Sequence, residues 1–275
     1  MPNEHLDPAF TYRILYENTY IIHGCGCDSF LLMGESEAIM IDAGMSRRDV
    51  RAFVSTLTDL PVRRVINTHS HFDHTGGNGF FDEILITEAA SRSAKNTISA
   101  GEASDFPMDY AFTFIKEGDR IDLGGRVLEI IELDCHSQGN IAILDHGMRL
   151  LFSGDEVESG QVLLNPGFGE EPGQKIARPP STVQHFLRAV QKLKRYEGQF
   201  DFIMPAHNGA PIAPSYIDRY IALAEWILAG NEGSTDCSSP TFRPDFSHYP
   251  GPEDNFRRAE LNGAALVYCQ DRIYG

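Results

Sequence analysis

The chain has 275 residues, of which 42% are hydrophobic and 23% charged, a composition typical of an ordinary globular protein. Its 39 acidic and 23 basic residues give a net charge of −16, which argues against a nucleic-acid-binding surface. There is no run of 18 apolar residues, and the first residues lack the basic and apolar regions of a secretory signal. With five scattered cysteines, the sequence predicts a cytoplasmic protein with neither membrane nor nucleic-acid partners.

The N-terminal third is predicted to alternate short strands with helices. Short strands form a meander to about Asp42, and a helix follows over residues 46–57 with Ser46 as its N-cap. Residues 65–68 are a β-branched, apolar run that indicates a strand. The glycine-rich stretch 76–79 could open another helix, and residues 89–98 have a helical composition.

Three histidines and an aspartate follow the strand at 65–68 within six residues. Because side chains alternate along an extended chain, His69 and His71 share one side and can bind one metal ion together. Asp73 and His74 come one turn later and can reach a second ion. Imidazole and carboxylate ligands suit Zn²⁺, Fe²⁺ or Mn²⁺, and the absence of nearby thiolates argues against a closed structural zinc site.

The same arrangement, an apolar strand followed by a glycine-containing turn with one His or Asp, recurs three times. Strand ends that open into loops are where a scaffold of this kind presents functional groups. Cys135, next to one of these histidines, is either an extra donor or a small buried residue, and Cys25-Gly26-Cys27 is interpreted as an accident of a turn. The three runs are 127–133 before His136, 150–152 before Asp155, and 200–204 before His207.

The remaining elements complete an alternating α/β pattern, and we expect one domain over residues 1–275. Residues 156–180 hold many glycines and prolines, which predicts a long loop near the metals. A helix is predicted over 216–229 and a closing strand over 264–269. Between them, a polar excursion is expected at about 230–262.

Together these motifs resemble those of the metallo-β-lactamase superfamily, from about Tyr20 to about Gly209. The resemblance implies an α/β fold, the four-layer αβ/βα sandwich, with the metals at one edge. It further implies two metal ions, most commonly Zn²⁺, with Fe or Mn as alternatives. By position, His69, His71 and His136 match the ligands of the first metal, Asp73, His74 and His207 those of the second, and Asp155 the carboxylate that bridges both.

The chemistry implied by such a site is hydrolysis. Two ions about 3.5–4 Å apart share a water and lower its pKa from about 15.7 to near 7, which supplies a bridging hydroxide at neutral pH. Asp73 is the candidate catalytic residue, since it could orient that hydroxide and later carry a proton. We therefore expect a hydrolase that cleaves an ester, thioester or lactone of a small molecule.

The substrate is less defined by the sequence. Family β-lactamases lack a bridging aspartate at the position of Asp155, and lactonases of the family carry a tyrosine where this chain has Glu158. Candidate substrate-binding residues are Glu158, His248 and Tyr249, and three arginines of the C-terminal part could hold an anionic substrate. Those arginines are Arg243, Arg257 and Arg258.

Three alternatives remain open at this point. A mononuclear iron sulfur dioxygenase of the same fold would use only His71, His136 and Asp155. A phosphodiesterase is a second alternative, and the third is a binding or signalling protein that keeps the fold but has lost turnover. The oligomeric state is not indicated by the sequence.

Overall fold

A mixed seven-stranded sheet forms the first part of the computed structural model, which describes residues 9–24, 26–95, 105–164, 181–240 and 255–275. In spatial order its strands are β1 (Thr11–Tyr16), β2 (Thr19–His23), β3 (Ser29–Met33), β4 (Ala38–Ile41), β5 (Val62–Ile66), β6 (Glu83–Thr87) and β7 (Phe112–Ile115). Neighbours from β1 to β4 are antiparallel, and those from β4 to β7 are parallel. Parallel neighbours need crossovers, which here contain the short helices α1 (Val50–Val54), α2 (Phe72–Thr75) and α3 (Glu88–Ser91).

A second sheet of five strands and a third of three follow along the chain. Their strands are β8 (Arg120–Asp122), β9 (Val127–Glu132), β10 (Ile141–Asp145), β11 (Leu150–Gly154), β12 (Val162–Leu163), β13 (Phe202–Pro205), β14 (Phe256–Leu261) and β15 (Ala264–Cys269). The five-stranded sheet has the order β13-β11-β10-β9-β8, and the three-stranded sheet the order β12-β15-β14. Helix α4 (Val183–Lys194) lies between the parallel strands β11 and β13 in sequence, and α5 (Tyr216–Leu228) follows β13.

Apolar side chains fill the space between the two larger sheets. Phe30 and Ile41 of the first sheet belong to the same buried cluster as Ile143 and Phe152 of the second. The rings of Phe30 and Phe152 meet edge to face, with centroids 5.0 Å apart. Strands β3 and β11 are buried along their whole length, as expected for strands covered on both faces.

Helices cover the outer faces of these sheets. Val50 and Val54 of α1 join a buried cluster with Met40 of the first sheet. On the other side, Phe186 of α4 and Tyr220 of α5 belong to the cluster that contains the outward side chains of the second sheet. The layers therefore run helix, sheet, sheet, helix, which confirms the predicted α/β four-layer sandwich.

The predicted helix over 46–57 is shorter, because a different residue caps it. Helix α1 begins after Asp49, whose carboxylate accepts a hydrogen bond from the backbone N–H of Ala52 at 2.8 Å. The Ser46 hydroxyl instead accepts from the N–H of Arg48, and so closes a turn before the helix. The prediction of Ser46 as the N-cap was therefore wrong.

Two further helix predictions also change. Helix α3 starts at Glu88, one residue earlier than predicted and directly after its N-cap Thr87, and ends at Ser91. The Ser91 hydroxyl donates to the backbone carbonyl of Glu88, a local bond that weakens a helix interior; residues 96–98 of the prediction lie outside the described residues. The glycine-rich stretch 76–79 overlaps only a single 3₁₀ turn, Asn78–Phe80.

The C-terminal predictions hold more closely. The structure has α5 at Tyr216–Leu228 and β15 at Ala264–Cys269, against predictions of 216–229 and 264–269. Part of the expected excursion at 230–262 is strand β14, which pairs antiparallel with β15. None of the helices in the described part of the chain is long and apolar enough to cross a membrane.

Candidate metal centre

The predicted metal-binding motif runs from the loop after β5 into α2, and Asp42 contacts both Thr68, directly before the motif, and the ring of His74. Asp42 follows strand β4, which pairs in parallel with β5. Its Oδ1 accepts a hydrogen bond from the backbone N–H of Thr68, and its Oδ2 accepts from the Thr68 hydroxyl, both at 2.8 Å. The same Oδ2 lies 2.8 Å from Nδ1 of His74, so Nε2 of His74 is the nitrogen left for the site.

His69, His71, His136 and Asp155 form the first of two groups, called here the first group. Their ligand atoms all lie within 4.8 Å of one another. Nε2 of His136 is 3.1 Å from Nδ1 of His71 and 3.5 Å from Oδ2 of Asp155. Nε2 of His69 is 3.9 Å from the same oxygen of Asp155. Residues 86 positions apart in the chain thus converge on one point.

Asp73, His74 and His207, called the second group, converge beside the first. Nε2 of His207 lies 3.3 Å, and Nε2 of His74 3.5 Å, from Oδ2 of Asp73. Asp155 reaches this group too, because its Oδ1 is 3.4 Å from Nε2 of His74 and its Oδ2 is 3.5 Å from Nε2 of His207. The Asp155 carboxylate therefore lies between the two groups and within ligand spacing of both.

These atoms fit divalent metal ions in spacing and in chemistry. Two donors about 2.1 Å from a tetrahedral ion lie about 3.4 Å apart, close to the separations of 3.3 to 3.5 Å around Asp155 and Asp73. Nε2 of His69, Nε2 of His74 and Oδ1 of Asp155 are buried and make no hydrogen bond among the described residues. Such buried polar atoms are costly unless something binds them, and metal ions would do so.

The imidazoles of the first group are poised as neutral ligands. Burial, followed by the nearby His136, lowers the pKa of His71 to about 3. Burial also lowers the pKa of His136, and it lowers the pKa of His69 well below its ordinary value. A metal-binding imidazole must be unprotonated, so these three side chains need lose no proton at neutral pH to bind an ion.

The second group has the opposite electrostatic character. Burial opposes charge on Asp73 and Asp155, yet the neighbouring histidines hold the pKa of both carboxyls well below the usual range. Burial likewise opposes charge on His207, but Asp155 and Asp73 raise its pKa well above the ordinary value, and the pKa of His74 is also raised. In this group protons supply the positive charge that the carboxylates attract, and a divalent ion could take their place.

The family model for the metallo-beta-lactamase superfamily matches residues 23–222, which contain both groups. The chain belongs to this superfamily. The match covers more than half of the chain and includes every predicted ligand, from His69 to His207. The resemblance stated from the sequence is confirmed.

Two named relatives of this chain are hydrolases. The chain is 28% identical to an acyl-coenzyme A thioesterase, MBLAC2, of Gallus gallus, over 65% of this chain and 71% of the relative. It is 31% identical to a hydroxyacylglutathione hydrolase of Methylobacillus flagellatus, over 77% of this chain and 68% of the relative. The prediction of a metal-dependent hydrolase is confirmed at this coarse level.

Solved structures show the same fold at low sequence identity. A metallo-β-lactamase from Hirschia baltica superposes with a TM-score of 0.55 and 16% identity, over 79% of this chain and 98% of that one. A β-lactamase domain protein from Burkholderia ambifaria gives a TM-score of 0.55 and 18% identity, over 80% and 75% of the two chains. These likenesses concern the fold.

Cys135 and Cys27 have different surroundings. Cys135 is buried, and its thiol donates to the hydroxyl of Ser181 at 3.4 Å. Among the described residues, its sulfur belongs to none of the converging sets of ligand atoms. Cys27 instead forms a third set of converging atoms with Asp42 and His74. Sequence-based prediction missed this contact because nothing near Cys27 in the sequence points to it; Cys25 lies outside the described residues.

The predicted substrate-binding residues are only partly within the described structure. Glu158 is buried beside the second group, where its carboxylate accepts a hydrogen bond from Nδ2 of Asn208. His248 and Tyr249 lie outside the described residues, as does Arg243. Of the other two arginines, Arg257 pairs with Glu232, and Arg258 donates to the side chain of Gln161 and pairs with Glu260.

Proposed function

We propose that this chain is a dinuclear metal-dependent hydrolase that cleaves a small-molecule thioester, with an ester or lactone as neighbouring possibilities. The observation that carries the proposal is the position of Asp155. Its carboxylate oxygens lie 3.4 to 3.9 Å from imidazole nitrogens of both groups, as a bridging ligand requires. A mononuclear site would leave the convergence of Asp73, His74 and His207 without a purpose.

In this proposal the two groups of side chains would hold the metal ions, and Asp73 would orient the attacking water. When bound, the two ions would polarise the substrate carbonyl and supply a hydroxide nucleophile at neutral pH. Asp73 is held ionised by its histidine neighbours, so its Oδ2 can accept a hydrogen bond from the attacking water or hydroxide and orient it. The side chains of Asp73 and His207 are 32% and 28% exposed, whereas His69 and His74 are wholly buried. Substrate would therefore approach over Asp73 and His207.

The chemistry of the leaving group favours a thioester. A thiol has a pKa of about 8.5, so a thiolate can leave without a strong proton donor next to it. One relative is named a thioesterase, and another is named for an acylated glutathione as its substrate. The net charge of −16 supports a small-molecule substrate over nucleic acid, whose phosphates it would repel.

The test combines metal analysis with a substrate panel. The purified chain, loaded with Zn²⁺, Mn²⁺ or Fe²⁺ in turn, is assayed on thioesters of coenzyme A, glutathione and N-acetylcysteamine, and on lactone, ester, phosphodiester and β-lactam substrates. We expect two ions per chain and the highest kcat/KM on a thioester. One iron per chain with oxygen consumption would instead establish the dioxygenase, and cleavage of phosphodiesters alone the phosphodiesterase.

A matched variant ties the activity to the site. Asp155→Asn keeps the size of the side chain but removes the charge that a bridging ligand supplies. We expect this variant to lose thioester cleavage, whereas Asp201→Asn, at an exposed carboxylate paired with Arg149, retains it. A fully metal-loaded wild-type chain inert towards the whole panel would contradict the proposed function.

A further inference from the structure

Two glutamates with buried side chains occupy the first and third positions after Asp155. Glu156 is 0% and Glu158 is 4% exposed, while Val157 between them packs into the core. Glutamate is almost never fully buried unless it is paired. Burying a carboxyl group costs free energy unless its oxygens find hydrogen-bond partners, so these two side chains need partners inside the fold.

Glu156 contacts the loop that carries His136. Its Oε2 accepts a hydrogen bond from the backbone N–H of His136 at 2.9 Å. The ring of His136 is held from another side, since its Nδ1 lies 2.8 Å from the backbone carbonyl oxygen of Leu163. With both contacts in place, Nε2 of His136 faces His71 and Asp155 of the first group.

Glu158 contacts the loop that carries His207. Its Oε2 accepts from Nδ2 of Asn208, and the hydroxyl of the next residue, Ser159, donates to the Asn208 backbone carbonyl at 2.9 Å. Asn208 has a φ of +60°, a left-handed conformation that needs local support. The backbone carbonyl of Glu158 in turn accepts from the Tyr220 hydroxyl at 2.9 Å, which anchors the segment to α5.

The two contacts divide between the two groups. His136 belongs to the first group and His207 to the second, and each lies on a loop far in sequence from the segment 69–74. The turn after β11 therefore presents Asp155 to both groups and one glutamate to each late loop. A hydrocarbon side chain of similar volume could fill either position, but it could not accept these hydrogen bonds.

We propose that Glu156 and Glu158 are positioning residues for the two metal ions, Glu156 acting through His136 on the first group and Glu158 acting through Asn208 and His207 on the second. This inference rests on the proposed two-metal site. Groups that orient metal ligands typically contribute about 10–100-fold to metal affinity. Each glutamate should therefore control one of two metal affinities and leave the other nearly unchanged.

The experiment measures metal binding and not turnover. Metal-free wild type and the variants Glu156→Ala and Glu158→Ala are titrated with Co²⁺ and Zn²⁺, with elemental analysis after gel filtration and visible spectra of the cobalt forms. We expect one of two binding steps to weaken about 10–100-fold in each variant. The residual cobalt spectrum of Glu156→Ala should match that of His136→Ala, and that of Glu158→Ala should match His207→Ala.

Conservative variants separate positioning from simple loss of packing. Glu156→Gln and Glu158→Gln keep a carbonyl oxygen as acceptor, so both should recover most of the lost affinity. Asn208→Ala should reproduce Glu158→Ala. As a control for general destabilisation, Asp145→Asn breaks the buried pair between Asp145 and Arg126 at the far end of β10, and should keep two bound ions.

Several results would overturn the inference. These are unchanged affinities in both alanine variants, equal weakening of both ions in each, glutamine variants as impaired as alanine variants, or a wild type that binds only one ion. Failure of the proposed function has a different signature: a wild type that binds two ions but hydrolyses none of the panel. In that case the positioning roles stand and the substrate class falls.

Discussion

The first and second groups lie side by side, yet they differ in charge and in exposure. Burial keeps the first group's histidines neutral, and the pKa of His71 falls to about 3. In the second group the pKa of His207 is raised well above its ordinary value by Asp155 and Asp73. The first group is thus mostly buried and neutral, whereas the second group carries charge and includes the partly exposed side chains of Asp73 and His207.

The largest effect is expected at Asp155, because its carboxylate lies close to both groups. Replacing Asp155 with Ala removes a carboxylate that lies close to both groups and leaves buried imidazoles without it. We expect both ions to bind far more weakly and kcat/KM to fall by at least about 100-fold, since even groups that only orient ligands contribute about 10–100-fold. Elemental analysis and steady-state kinetics measure both.

The matched control for that variant is Asp201→Ala. Asp201 is an exposed carboxylate paired with Arg149, so its removal should leave metal content and rate unchanged. Full metal content and full activity in Asp155→Ala would show that the two groups do not share a ligand.

The next largest effect should separate the groups. His136→Ala removes a member of the first group alone, and His207→Ala a member of the second. Each should reduce the bound metal from two ions to one, and the two residual cobalt spectra should differ because the remaining ligands differ. His146→Ala, at a histidine that pairs with Glu129, serves as the control with two ions. Identical residual spectra would contradict the division into two groups.

Much of this site is predictable from the sequence because it is local. The spacing of His69, His71, Asp73 and His74 is fixed by a strand end and one turn of helix, and both can be inferred from neighbouring residues. The positions of His136, Asp155 and His207 follow from a repeated rule, a buried strand that ends in a polar turn. The four-layer order came from the family resemblance, since periodicity gives only alternating strands and helices.

The residues that sequence-based prediction missed depend on tertiary structure. Asp42 meets Thr68 and His74 only because β4 pairs in parallel with β5. The pairing of Glu156 with the backbone of His136 likewise depends on two loops that are distant in sequence. The misplaced start of α1 has a local cause: serine and aspartate are both common N-caps, and the prediction assigned Ser46 where Asp49 caps the helix.

A smaller and one-sided effect is expected at Asp42. Asp42→Asn keeps Oδ1 as acceptor for the backbone N–H of Thr68. It replaces Oδ2, which faces Nδ1 of His74 and the Thr68 hydroxyl, with an amide donor. That donor favours the tautomer of His74 with its proton on Nε2, the nitrogen that the second site needs. We expect about 10–100-fold weaker binding of the second ion alone, measured by cobalt titration. Equal loss of both ions would indicate that Asp42 supports the whole motif and not His74.

The smallest effect is expected at Cys27, which lies beside His74 of the second group. Its Sγ lies within 4.8 Å of ligand atoms of His74 and Asp42, while burial raises the pKa of the thiol and so favours its neutral form. A neutral contact is worth about 0.5–1.5 kcal/mol, so Cys27→Ala should weaken the second ion by no more than about tenfold. The first ion should be unaffected.

Cobalt spectra test whether the Cys27 thiol is a ligand of the second ion. With a neutral thiol beside His74, the cobalt-loaded wild type should show no near-ultraviolet sulfur-to-cobalt band, and Cys135→Ala, at the buried thiol next to Ser181, should bind both ions as the wild type does. A sulfur-to-cobalt band that disappears in Cys27→Ala would mean that the second ion takes a thiolate ligand. The second site would then differ from the first in ligand softness as well as in charge, and would select its metal accordingly.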